Sequence, residues 1–91
     1  MSKILVVCGN GLGSSLILKM KVQSVLKELN NAHVDVEHCD LTTAASEQAD
    51  LIVVVKDLAS HFEGKRPCIT VTNIMNTEEL RTKLRSFIEK A

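Results

Sequence analysis

The chain has 91 residues, of which 45% are hydrophobic and only 2% aromatic, so it is expected to form one compact domain over residues 1–91 with a core of Val, Ile, Leu, Ala and Met. Its 11 basic and 11 acidic residues cancel, and an isoelectric point near 6.8 excludes a protein that holds nucleic acid by neutralising many phosphates; a protein partner or a small anion fits better. Apolar runs such as Ile4 to Cys8 and Leu51 to Val55 are far shorter than the ~20 residues that span a bilayer, and no signal-peptide stretch opens the chain, so a cytoplasmic protein without direct membrane insertion is expected.

Lys3 to Cys8 is a continuous apolar run ending in glycines, the pattern of a strand buried on both faces. From Leu12 to about Leu29 the spacing of Leu16, Ile17, Met20, Leu26 and Leu29 predicts a helix, stopped by Asn30-Asn31. Val34, Val36 and His38 alternate with Asp35, Glu37 and Cys39, which predicts a second strand with one wetter face near a sheet edge. Thr42 to Gln48 reads as a short helix opened by a threonine cap, and Leu51 to Val55 as a second fully buried strand. Asp57 is expected to cap a short helix through Phe62, Gly64 and Pro67 to mark a turn, and Cys68 to Thr72 to form a fourth strand. A last helix is predicted from Thr77 to Lys90, with Glu78 and Glu79 in its first turn.

Strands alternating with helices imply an α/β fold: a four-stranded parallel sheet of order 2-1-3-4, flanked by helices on both faces in a Rossmann-like or flavodoxin-like three-layer arrangement. Such sheets bind ligands beyond the carboxyl ends of their strands, where the strand order reverses. That point is predicted between Cys8 and Lys56-Asp57.

The segment Cys8-Gly9-Asn10-Gly11-Leu12-Gly13-Ser14-Ser15 joins a central strand to a helix and has the makings of an anion cradle. Glycines let successive backbone N–H groups turn inward, and the first helical turn adds unpaired donors at a positive dipole end. The same donors would lower the pKa of the Cys8 thiol, and Ser14 and Ser15 can add hydroxyl donors or cap the helix. A plainer reading makes Cys8 a small buried hydrophobe and the glycines a tight turn, but three glycines and two serines exceed what a plain turn needs. The spacing Gly9-x-Gly11-x-Gly13 departs from a dinucleotide fingerprint, and strand two ends in no acidic residue suited to ribose unless Asp40 serves. The Gly-Lys-Ser/Thr ending of a nucleoside-triphosphate loop is missing too.

Ile4 to Ser15, with Leu18-Lys19-Met20-Lys21-Val22 after it, resembles the IIB components of the bacterial sugar phosphotransferase system, in the branch serving ascorbate and related sugars such as galactitol. The resemblance implies a phosphocarrier: phosphohistidine on a IIA protein donates to Cys8, and the phosphoryl group passes to a sugar, ascorbate first among the expectations, presented by a IIC membrane transporter. Residues 9–15 would be the phosphate-binding loop. Positioning and oxygen stabilisation suffice for such a transfer, and neither a metal nor another cofactor is implied. The loop is also similar to that of low-molecular-weight tyrosine phosphatases, but Ser14 stands where they carry arginine, which removes the bidentate clamp of their transition state. A non-catalytic anion-sensing module of the same fold is the remaining alternative.

Cysteines 8, 39 and 68, odd in number and without a Cys-x-x-Cys pair, predict neither a disulfide framework nor a zinc site. Cys39 and Cys68 read as core residues, with a Cys8–Cys39 redox pair as the alternative for the former. His33, His38 and His61 lie in no anion-binding loop and are expected to play ordinary roles. Lys19, Lys21, Lys56 and Asp57 read as solvated charge or capping groups, although Lys56 could steer a phosphorylated partner. Leu12 is a candidate docking contact for IIA or IIC.

Overall fold

The computed structural model describes residues 3–7, 12–62, 67–73 and 75–90, with the side chains of 12–15, 45, 57 and 90 outside that description. Strand β1 is Lys3–Val7, helix α1 Leu12–Glu28, β2 Asp35–Cys39, α2 Leu41–Ser46, β3 Leu51–Val55, the 3-10 helix η1 Lys56–His61, β4 Cys68–Val71 and α3 Thr77–Lys90. All strand pairs are parallel and the sheet order is β2-β1-β3-β4, as the alternation of elements predicts.

The two central strands are apolar at every buried position because both of their faces are covered. Ile4 and Val6 of β1, with Leu51 and Val53 of β3, point into a core closed by Leu18, Val22, Val25 and Leu26 of α1 and by Leu80 and Leu84 of α3. Leu5, Val7, Ile52 and Val54 point the other way, onto Ala44 of α2, Ala59 of η1 and Phe62. Each of the buried Val, Leu, Ile and Phe side chains among these contributes about 1.5–3 kcal/mol of burial free energy, so the two cores dominate the stability of the fold. The result is three layers, with α1 and α3 on one face and α2 and η1 on the other.

Three local expectations are corrected. The stripe of α1 that enters the core is Leu18, Val22, Val25, Leu26 and Leu29, whereas Leu16, Ile17 and Met20 are exposed. This helix carries apolar residues on two faces, so spacing alone does not say which face enters the core. Helix α2 begins earlier than Thr42 because Asp40, not a threonine, caps it: an Asp40 carboxylate oxygen accepts the Thr43 amide at 2.7 Å. Helix η1 begins at Lys56 with Val55 as its cap, so Asp57 lies inside it and not at its cap. Helix α3 begins at Thr77, as expected, with the Asn76 side chain accepting the Glu79 amide at 3.1 Å.

Helix α1 ends in a paired turn. The Asn31 amide donates to the Leu26 carbonyl at 2.7 Å and the Asn30 amide to that of Lys27 at 3.2 Å, with Asn30 at a φ of 61°. Asparagine tolerates this left-handed conformation better than other residues with a Cβ, which gives the Asn-Asn stop its physical cause.

Candidate functional site

The crossovers fix where the sheet can bind a ligand. The connection from β1 to β2 runs through α1 on one face, and that from β2 to β3 runs through α2 on the other, stepping over β1. The strand order therefore reverses between β1 and β3, and the crevice beyond their carboxyl ends is the position for a ligand in an open parallel sheet.

Val7 and Val54 form the last pair between β1 and β3; both are buried. The chain leaves β1 at Val7 and enters α1 at Leu12. Cys8, Gly9, Asn10 and Gly11, which sequence reasoning singles out, lie between these points and outside the described residues. Leu12, Gly13, Ser14 and Ser15 form the opening turn of the 17-residue helix α1, without acidic residues in that turn to compete for its donors. Their side chains are outside the described residues, so the docking role expected of Leu12 and the hydroxyl contacts of Ser14 and Ser15 find no geometry here.

Asp40, Lys21 and Arg81 have contacts of their own. Asp40, at the carboxyl end of β2, is engaged as the α2 cap, and the Thr43 amide holds its carboxyl below the usual carboxylate range. Lys21 donates to the Thr77 hydroxyl at 3.0 Å and ties α1 to α3. Arg81 adds a second tie through Glu28 at 2.9 Å and also pairs with Glu78; the two carboxylates raise its pKa further, Glu28 foremost. Lys56 is exposed, Lys19 half-buried, His33 and His61 exposed and His38 half-buried. Among the described residues no cluster of His, Cys, Asp and Glu could hold a metal ion.

Cys39 is the register partner of Val7, at the last paired position of β2, and packs against the core on the α2 face. Cys68 opens β4 opposite Ile52, at the amino end of the sheet, and also packs on that core. Both are half-buried, in line with the expectation for core thiols. Sequence reasoning missed a polar cluster at the far edge of the sheet, where Glu79 and Lys83 of α3 meet Thr70 and Thr72. Its only trace in the sequence is the Glu79-to-Lys83 spacing of four.

Comparison with known proteins extends this geometry. The family described as the PTS system lactose/cellobiose-specific IIB subunit matches residues 3–86. An ascorbate-specific PTS system EIIB component of Mycoplasma pneumoniae is 33% identical, over 93% of this chain and 93% of its own length. Proteins of the same description from Salmonella choleraesuis and Escherichia coli O157:H7 are 35% identical, over 97% of this chain and 90% of theirs. The family match runs from the first residue of β1 into α3 and so takes in the four described strands, residues 8–11, α1, α2, η1 and most of α3. The chain belongs to the lactose/cellobiose-type IIB family of the phosphotransferase system.

Proposed function

We propose that residues 1–91 act as one cytoplasmic IIB domain that carries a phosphoryl group on Cys8, from phosphohistidine of a IIA protein to ascorbate presented by a IIC transporter. IIB components are phosphotransferase subunits that work with IIA and IIC partners, and relatives at 33–35% identity are described as ascorbate-specific. The observation that carries the reading is that β1 ends buried at the reversal point and α1 begins at Leu12, with Cys8-Gly9-Asn10-Gly11 between them in the sequence.

In the first step the Cys8 thiolate attacks phosphorus in line as the bond to the imidazole nitrogen of the donor breaks, and that nitrogen keeps the electron pair. In the second, a hydroxyl of the sugar attacks phosphorus and loses its proton to solvent, and the S–P bond returns its pair to sulfur. The amides of residues 9–15 hold the phosphoryl oxygens in both steps and stabilise the thiolate between them. Ser14 in place of an arginine leaves the thiophosphate without the clamp that speeds hydrolysis, as a carrier requires. No helix among the described residues is long and apolar enough to cross a membrane, which suits a subunit that meets its transporter from one side.

Incubation with phosphorylated IIA followed by intact-mass measurement tests the reading. The wild-type chain is expected to gain the mass of one phosphoryl group, absent from Cys8→Ser and Cys8→Ala. A chain that binds anions and IIA equally well with alanine at position 8, and never gains the adduct, would be the anion-sensing module instead.

A further inference from the structure

Strand β4 is the outermost strand on its side of the sheet, and its sequence Cys-Ile-Thr-Val carries no charge. An uncharged, β-branched edge strand is a template for pairing with another chain unless something blocks it. The other edge strand, β2, carries its own protection in the exposed Asp35 and Glu37.

The register shows which β4 groups face outward. The Ile52 amide donates to the Pro67 carbonyl at 3.0 Å, with Ile52 opposite Cys68. Successive residues of a parallel ladder turn their backbone groups to alternate sides, so Ile69 and Val71 face β3 while Thr70 and Thr72 face away from it. Helix α3 supplies a partner to each of these two. Lys83 Nζ donates to the Thr70 carbonyl at 2.5 Å, and the Thr72 amide donates to Glu79 Oε1 at 3.0 Å. The Thr72 hydroxyl lies 2.8 Å from Glu79 Oε2, and Lys83 and Glu79 pair with each other at 3.3 Å. One acceptor and one donor that an added strand would need are therefore occupied by a single ion pair one helical turn long.

We propose that Glu79 and Lys83 form an edge guard that keeps β4 from pairing with β4 of a second copy of this chain. The second copy is the fitting occupant because two uncharged β4 edges related by a two-fold axis match each other, whereas the charged edge of β2 does not. The guard works on the side of the sheet away from β1 and does not depend on the role of Cys8.

The test compares wild type with Glu79→Gln, Lys83→Gln and the double variant by sedimentation over a concentration series, with far-UV circular dichroism on each sample. Wild type is expected to stay monomeric. The double variant, with an unchanged spectrum, is expected to rise about twofold or more in weight-average mass with concentration. Adding Thr72→Pro, which removes the outward N–H, is expected to return it to monomer. A double variant that is folded and monomeric at every concentration would overturn the proposal. So would one that has lost its helical signal, because a guard is dispensable to the isolated chain, or a wild type that already pairs through β4.

Discussion

Two carboxylates show how single side chains set local structure in this chain. Asp40 accepts the Thr43 amide and thereby starts α2 directly after β2, and Glu79 accepts the hydroxyl and amide of Thr72 and thereby ties α3 to β4. Each hydrogen bond favours the ionised form, so both carboxyls sit below their ordinary range, Asp40 through the Thr43 amide and Glu79 first through the Thr72 hydroxyl. A depressed folded-state pKa means that the unfolded chain binds more protons in that window, so stability rises with pH across it. The contribution is complete above the unfolded carboxylate value of about 4 and is lost as pH falls below it through the lower folded values. Urea midpoints measured between about pH 5 and pH 3 are expected to drop for wild type and to drop less steeply for Asp40→Asn and Glu79→Gln. Equal slopes in all three proteins would mean that these contacts carry no linkage.

At the scale of elements, α1 is the instructive case. It has one apolar row at Leu18, Val22, Val25, Leu26 and Leu29 and another at Leu16, Ile17 and Met20, and only the first meets the sheet. Leu18→Ala empties a fully buried site and is expected to cost about 2–5 kcal/mol. Leu16→Ala, at a position 48% exposed, is expected to stay within about 0.5 kcal/mol of wild type. Denaturant unfolding separates these, and a larger loss at Leu16 would reverse the orientation of the helix. The same contrast explains what the amino-acid sequence discloses. β1 and β3 are legible because a strand covered on both faces must be apolar at every position, whereas a helix with two apolar rows does not say which row is inside. The Asn30-Asn31 stop was legible from its chemistry, and the Asp40 cap was missed because a threonine two residues later suits the same role. Of the Glu79–Lys83 cluster only the spacing of four shows in the sequence, since its contacts depend on which backbone groups of β4 the sheet leaves facing outward.

For the whole molecule, the parallel sheet has two chemically different ends, and the two described thiols stand one at each. All strands run the same way, so the carboxyl ends of β1, β2 and β3 gather at one end of the sheet, and α1 follows β1 from Leu12. Cys68 opens β4 and belongs to the opposite end, while Cys39, at the carboxyl end of β2, packs half-buried against the core beneath α2. Backbone donors at a helix amino end make a thiol more reactive than one without them. If Cys8 is the carrier, iodoacetamide at neutral pH is therefore expected to modify it well before the other two, and inorganic phosphate is expected to slow that first reaction by competing for the same amides. Peptide mapping of a time course reads both effects. First modification at Cys39 or Cys68, or indifference of Cys8 to phosphate, would remove the electrostatic basis of the transfer, because a thiol that no amide stabilises has no advantage at the reversal point of the sheet over one buried beside it.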